Sequence, residues 1–464
     1  MTEDQLRIIS LTSFFSKVYE QYVMIWLMKY VGKQMDWGQY GGTKGCSISH
    51  YLIDLVNFIL YNQDLNIPHA VLAVMIDFAK AFNRINHNTV ITILSRMGVP
   101  GWLLRIVMGF LTERELIVRY KGRTSGRKML PGGSPQGTIL GLFLFLILIN
   151  AAEYKNLERN VGHQITQKKN KRNVMPNTHM KFVDDMTLAG AMNLKECLVP
   201  NPDVNQPFPL AYHDRTQHVL PDTKNLMQEH LDNIIQYCQE NSMKINHEKT
   251  KVVLFNTARK YDFMPRLCIE SGINLEVVEE FKLLGIIFQS NLRWQANTDF
   301  MCQKAYSRLW MLRRLKKLGA EISEILDVYY KQVRCMLEMA VAVWEPGLNI
   351  AQSKQIERVQ KCAFYVILGD NHTTYNNALK QLGGEALSDR RQKLCLNFSK
   401  KSEKHTRFSS WFEPTEEREV PLPNTRSDKS ELKYKPVTVR TNRYQDSPLP
   451  HLTNLLNTYH NKKK

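Results

Sequence analysis

The chain has no cysteine pair at metal-ligand or redox spacing. Its eight cysteines (Cys46, Cys197, Cys238, Cys268, Cys302, Cys335, Cys362 and Cys395) are scattered singly over 464 residues. That pattern argues against a structural zinc site and a disulfide framework, and suits reduced thiols in the cytoplasm or nucleus. Long hydrophobic runs are also missing. The longest, Ile139 to Ile149, is about half of the roughly 20 residues that span a bilayer, and reads as a buried core helix. No basic N-terminal region leads into an apolar segment and a small-residue cleavage site, so nothing directs the chain to secretion or a membrane. No internal repeat is apparent. Acidic residues are the minority, 44 against 62 Lys plus Arg, for a net charge of +18. This excess favours a polyanionic partner, nucleic acid or an anionic surface, over an acidic protein chemistry.

A chain of this length has room for two or three domains and a substantial core. Residues Val71-Leu72-Ala73-Val74-Met75-Ile76 form an apolar run that stops at Asp77, as suits a strand buried on both faces. The segment from Lys80 carries apolar residues at Val90, Ile91, Ile93, Leu94 and Met97 before Gly98 and Pro100, which predicts a helix and its stop. Further on, Met180-Lys181-Phe182-Val183-Asp184-Asp185-Met186-Thr187-Leu188 sets two adjacent carboxylates at the tip of a predicted hairpin. Taken alone, Asp184 and Asp185 make a solvated turn and Asp77 a helix N-cap. If the two segments are neighbouring strands, three carboxylates share one sheet edge, as two divalent cations require.

In order, Asp77-Phe78-Ala79-Lys80-Ala81-Phe82, Ser134-Pro135-Gln136-Gly137, Phe182-Val183-Asp184-Asp185, Lys249-Thr250-Lys251 and Phe281-Lys282-Leu283-Leu284-Gly285 resemble motifs A to E of a reverse transcriptase. The wording is similar to LINE-type, non-LTR retrotransposon polymerases of the jockey-like kind. Arg7-Ile8-Ile9-Ser10-Leu11 resembles the opening of the fingers in that family, and Val328 to Trp344 with Glu357 to Lys361 resembles the region that follows its polymerase. Asn83, Thr43, Ile8 and Ala151-Ala152 depart from the family's usual Asp, Arg, Pro and Asp-Leu, and none of these is a metal ligand. The endonuclease domain that usually precedes such a polymerase is expected to lie outside this chain and to be supplied elsewhere.

The resemblance implies a role for each motif residue. Asp77, Asp184 and Asp185 would bind two Mg²⁺ ions, with Mn²⁺ a substitute and the Phe78 carbonyl a further ligand. Phe82 would sit beneath the sugar of the incoming nucleotide, where a 2′-hydroxyl would clash with it. Gln136 and Gly137 would shape the pocket for the nascent base pair, Arg7 would meet the triphosphate, and Lys249 would protonate the departing pyrophosphate. Phe281, Lys282, Leu283 and Gly285 would grip the primer. Between Lys304 and Lys317 a predicted helix carries six basic residues and no acid, with Ala305, Leu309, Leu312 and Leu315 as its apolar stripe. There Arg313, Arg314, Lys316 and Lys317 would follow the phosphates of template and primer, since a backbone contact needs charge without base-specific geometry.

The expected fold is an α/β right-hand polymerase: a palm on a split β-α-β sheet, fingers from the first seventy residues and Ser95 to Pro131, then a helical thumb and C-terminal region. The expected boundaries are 1–290 for fingers and palm, 291–403 for the helical region and 404–464 for a Pro-rich, charged tail with little capacity to form a core. Polar segments at 155–178 and 199–221 read as surface insertions. The expected partners are an RNA template, a DNA primer and dNTPs. Two alternatives are an inert nucleic-acid-binding remnant, opposed by the intact aspartates, and a ribonucleotide polymerase, opposed by Phe82.

Overall fold

The computed structural model describes residues 9–130, 132–150, 152, 173–194, 222–257, 267–269, 272–415 and 432–462. The first helix, α1 (Phe14–Val31), starts at Ser13, whose hydroxyl accepts the Ser16 amide at 3.2 Å. Helix α2 (Ile48–Gln63) starts at a reciprocal cap between Ser47 and His50 and is buried almost all round. Strand β1 (His69–Ile76) is buried along its whole length. The helix expected from Lys80 begins later. Lys80 takes a left-handed φ of 52°, Ala81–Arg84 form a 3₁₀ turn, and α3 (His87–Arg96) opens at Asn86, whose side chain accepts the Asn88 and Thr89 amides. Helix α4 (Gly101–Leu111) follows Pro100. A hairpin around Gly122 pairs β2 (Arg114–Leu116) with β5 (Lys128–Leu130), with β3 (Arg119–Tyr120) and β4 (Arg123–Thr124) at its tip. The apolar run becomes the buried helix α5 (Ile139–Asn150).

Strands β6 (Thr178–Phe182) and β7 (Asp185–Asn193) form the predicted hairpin, then α6 (Asp222–Glu240) leads to β8 (Lys251–Phe255). Short strands β9 (Cys268–Ile269), β10 (Ile273–Asn274) and β11 (Glu276–Val277) complete the palm. The sheet order is β11-β8-β1-β7-β6, with β1 antiparallel to both β7 and β8. Its chain order is that of a split β-α-β fold. Period two along β1 divides its side chains between two cores. Ala70, Leu72, Val74 and Ile76 join α1, α3, α4, α5 and α6, whereas Val71, Ala73 and Met75 join α2 and the C-terminal helices.

From Glu280 the chain folds back on itself as β12 (Glu280–Leu283) and β13 (Ile286–Gln289). Leu284 and Gly285 both have positive φ, 48° and 90°, the geometry of a tight two-residue turn. Helix α7 (Gln295–Lys317) follows, then α8 (Ile322–Val328), α9 (Cys335–Glu338), α10 (Val341–Trp344), α11 (Ile350–Leu368), α12 (Tyr375–Gln381) and α13 (Leu387–Glu403). After them come α14 (Asn442–Gln445) and α15 (Pro448–Asn461).

Two expectations need correction. Helix α2, within the stretch assigned to fingers, lies beneath the palm sheet and shares its core with the C-terminal helices, since it is buried almost all round and its polar His50, Asp54 and Asn57 are hydrogen-bonded to Ser402, Trp411 and Tyr444 of the C-terminal part. The tail is not coreless. Trp411, Phe412, Tyr434, Leu449, Leu452 and Leu456 are buried in that same core. Pro448 and Pro450 occupy the first turn of α15, where an absent amide hydrogen costs no helical hydrogen bond. Of the segments 155–178 and 199–221, read as insertions, residues 155–172 and 199–221 lie outside the described residues, and the first ends at the start of β6. No described helix is long and apolar enough to cross a membrane.

Candidate active site

Asp77 follows the last residue of β1. The β1–β7 register ends with Ile76 opposite Met186, so one further step sets Asp77 opposite Asp185, the first residue of β7. Directly opposed residues of an antiparallel pair have Cβ atoms about 4.5–5.5 Å apart. Phe182 pairs with Asp185 across the hairpin, which leaves Val183 and Asp184 as its two-residue loop. Both aspartates and Asp77 are half-buried. Val183 is strained, with φ of 62° on a β-branched residue, a conformation held only where its surroundings dictate it.

The surroundings are explicit. Gln39 runs beside β6, where the Tyr40 amide donates to Lys181 at 2.8 Å and the Lys181 amide to Gly38 at 2.7 Å. The Gln39 side-chain carbonyl accepts the amides of Gly41 at 3.0 Å and Val183 at 3.3 Å. A Cβ on Gly41 would stand 2.6 Å from the Val183 nitrogen, so only glycine fits behind the turn. Below it, the fully buried Lys181 ammonium lies 2.8 Å from Asp36 Oδ2 and donates to the Ile149 carbonyl at 3.0 Å, while His179 Nε2 is 2.7 Å from the same carboxylate. Burial opposes ionisation of Asp36, yet the Lys181 charge and the His179 hydrogen bond outweigh it and hold the carboxyl far below the usual carboxylate range.

On the other side of Asp77, the Asn246 amide donates to the Asp77 carbonyl and the Ala79 amide to Lys244, each at 2.8 Å. Strand alternation then turns the Phe78 carbonyl toward the β7 side. Lys249 Nζ stands 3.9 Å from Asp77 Oδ2, both in contact with solvent, so the pair adds little stability but sets an ammonium group at the edge that carries the aspartates. Three oxygen ligands from adjacent strand ends fit a hard divalent cation. Among the described residues no three His, Cys, Asp or Glu side chains stand close enough to hold an ion as they lie. The backbone register places the three aspartates at one edge of the sheet.

Phe82 lies in the 3₁₀ turn, half-buried and stacked on Phe145 with ring centroids 4.8 Å apart. Its carbonyl accepts the Ser134 amide at 2.8 Å, and Ile85 accepts that of Gly133 at 3.1 Å. Arg114, which carried no signal in the sequence, donates to the Gly133 carbonyl at 2.7 Å. The Asp77–Phe82 segment and the Ser134–Gly137 loop thus form one wall. The Gln136 carbonyl accepts the Ser10 amide at 2.7 Å, and Gly137 has a φ of 97° with Ile9 against it. Arg7 lies outside the described residues.

The β12–β13 hairpin stacks Phe281 on Phe288 at 5.4 Å, buries Leu283, and presents Lys282 Nζ 4.9 Å over the Phe300 ring of α7. A Cβ on Gly285 would meet the Met339 methyl at 2.6 Å. On α7 the exposed Lys316 ammonium donates to the Val366 and Ile367 carbonyls, each at 3.0 Å, and so satisfies the end of α11. Arg313, Arg314 and Lys317 are exposed. Alanine at Arg314 and Lys317 is therefore expected to lower the salt dependence of duplex binding by roughly one unit of slope for each phosphate no longer neutralised. Lys316→Ala should instead lower the thermal midpoint and leave the slope unchanged. Titrations of binding against salt, with melting curves, separate the two.

Comparison with known proteins agrees with this geometry. The family model described as "Reverse transcriptase (RNA-dependent DNA polymerase)" matches residues 2–288. Two curated relatives from Drosophila melanogaster are similar over 374 residues, 78% of this chain: the probable RNA-directed DNA polymerase from transposon BS, 21% identical, and the RNA-directed DNA polymerase from mobile element jockey, 23% identical. The chain spans 37% and 36% of their respective lengths. Among solved structures, apo telomerase from Candida tropicalis aligns with a TM-score of 0.39 and 13% identity over 82% of this chain and 53% of that one. With well over half of its length matched and the motif aspartates meeting at the end of β1 and the β6–β7 turn, the chain belongs to the reverse transcriptase (RNA-dependent DNA polymerase) family.

Proposed function

We propose that the chain extends a primer 3′-hydroxyl with deoxynucleotides under the direction of an RNA template, as the polymerase of a LINE-type, non-LTR retrotransposon. The observation that carries this reading is the register that sets Asp77 opposite Asp185, with Asp184 in the adjoining turn. Asp77, Asp184 and Asp185 would hold Mg²⁺, or Mn²⁺ in its place, with the Phe78 carbonyl beside them. Such ions, when bound, stabilise charge on the attacking and leaving oxygens. Lys249 stands beside Asp77 and can deliver a proton to the departing pyrophosphate. Gln136 and Gly137, on the wall shared with the Asp77–Phe82 segment, would face the nascent base pair, and Arg7, outside the described residues, would meet the triphosphate. Phe281, Lys282, Leu283 and Gly285 would hold the primer, and Arg313, Arg314 and Lys317 the phosphates behind it. The seven described cysteines are free, as suits a reducing compartment, cytoplasmic or nuclear. An assay with a homopolymer RNA template, DNA primer, dNTP and Mg²⁺ tests the proposal. No extension above a metal-free control would overturn it.

Phe82 gives a sharper test of substrate choice. Its stack on Phe145 holds the ring in place, so Phe82→Ala opens space under the sugar and also removes a packing partner. The expected result is a fall of roughly tenfold or more in the ratio of kcat/KM for dNTP over NTP, because selectivity is a difference of transition-state energies. A ratio equal to the parent's, with dNTP synthesis retained, makes Phe82 a packing residue alone.

A further inference from the structure

Helices α7 and α11 lie side by side and run the same way. Near their starts Gln355 donates to Asp299 at 2.7 Å, and near their ends Lys316 reaches the last carbonyls of α11. Each turns one edge to solvent. On α7 that edge carries Tyr306, Trp310, Arg313 and Lys317, and on α11 Lys354, Arg358, Lys361 and Tyr365, both at the four-three-four spacing of a single helical face. The two edges hold cations and aromatic rings and no acid.

Trp310 and Tyr365 are 60% and 61% exposed, unusual for rings of that size on a helix whose other face is packed. Between the helices, toward their ends, a cavity of about 410 Å³ is bounded by Arg313, Lys361, Tyr365, Val366, His372 and Tyr375. That volume falls in the roughly 300–1,000 Å³ range of small-ligand pockets. The Tyr365 and His372 rings stand edge to face at 5.4 Å and form one wall, and the Lys361 ammonium lies 5.1 Å from the Tyr375 ring. The nearest acid on α11, Glu357, accepts the Leu387 and Ser388 amides and the Tyr375 hydroxyl, so it is engaged at the start of α13.

We infer that this two-helix face binds single-stranded nucleic acid, with an unpaired base stacked on the exposed ring of Tyr365, beside the wall it forms with His372, and its flanking phosphates on Arg313 and Lys361. Charge alone would serve a duplex equally well. The cavity decides otherwise, because the bases of a duplex are stacked on one another and offer no free ring face, whereas a strand with splayed bases stacks them on aromatic side chains. Exposed Tyr306 and Trp310 continue the stacking surface along α7, and Lys354 and Arg358 continue the phosphate track along α11. The face shares Arg313 and Lys317 with the phosphate contacts proposed above, so Tyr365, which has no part in those contacts, carries the test.

The test uses the full chain, titrated by fluorescence anisotropy against labelled oligouridylate, oligodeoxythymidylate and a blunt RNA–DNA hybrid of the same length. Tyr365→Ala is expected to weaken single-strand binding roughly tenfold, the effect of removing one base stack, and to leave the hybrid within about twofold of the parent. Tyr365→Phe should keep the parent affinity, which excludes a folding defect. Arg313→Ala with Lys361→Ala should flatten the single-strand salt dependence by roughly 1.4, at about 0.7 per phosphate neutralised. A tenfold loss for the RNA strand alone also supports the site and narrows its ligand to RNA. Unchanged single-strand affinity in Tyr365→Ala, or an equal loss for the hybrid, overturns the inference.

Discussion

Asp184→Asn is expected to end primer extension, with a loss of at least about a thousandfold, since charge stabilisation by a bound divalent ion is worth several kcal/mol and each ~1.4 kcal/mol is tenfold in rate. The two side chains are nearly the same in shape, and Asn is at home in a tight turn, so the Val183–Asp184 loop should keep its conformation. Binding of template-primer should change little, because the residues proposed to meet the phosphates belong to α7 and the β12–β13 hairpin and not to the substituted turn. Extension and binding measured on the same preparations test this. Residual synthesis comparable with the parent's would remove Asp184 from the metal site, and a parallel collapse of binding and thermal midpoint would mark the effect as structural.

A chain ending at Glu403 is expected to lose cooperative melting and activity together. It would lack Phe408, Trp411, Phe412, Tyr434, Tyr444, Leu449, Leu452 and Leu456, all buried in the core shared by α2 and the C-terminal helices. At ~1.5–3 kcal/mol for each buried side chain, their removal amounts to more than about 10 kcal/mol, against a whole-domain stability of roughly 5–15 kcal/mol. The loss also reaches the catalytic edge. Arg407 donates to the Gln39 carbonyl at 2.9 Å, and Trp411 donates to Asp54 at 3.0 Å, so the same segment braces the strand behind Val183. A truncated protein that melts cooperatively near the parent's midpoint and extends a primer would show that this segment is dispensable.

Several features are legible because they depend on neighbours in the chain. The apolar run from Val71 to Ile76 announces a two-sided strand, and the acid that ends it marks the sheet edge. Asp184 and Asp185 mark a turn because two adjacent carboxylates cannot sit inside a strand between apolar residues. Gly98 and Pro100 stop a helix where the pattern places its end. The start of that helix is not legible, since apolar spacing continues unbroken through Phe82 and does not reveal the left-handed Lys80 that forces a 3₁₀ turn first.

Other residues take their meaning only from the packed chain. Lys316 reads as one more cation in a basic run, and only the approach of α11 turns it into a partner for carbonyls. Lys181 looks like a surface residue between Met180 and Phe182, although a lysine at an inward strand position implies a buried acid. That acid is Asp36, which nothing in the local pattern singles out. The proline-rich end reads as a tail because composition counts prolines without their helix positions, and Pro448 and Pro450 fall where a helix tolerates them. By itself, then, the sequence determined the motif order along the chain, and with it the strand end at Asp77, the turn at Asp184 and the apolar stretch that becomes α5, the last three being properties of residues a few positions apart. The tertiary structure alone decided the register that sets Asp77 against Asp185, and the bracing of Gln39 by Arg407, 368 residues away in the chain. Hydrophobic periodicity encodes which face of an element is buried and not which distant element will cover it, so partners so far apart are chosen only when the whole core closes.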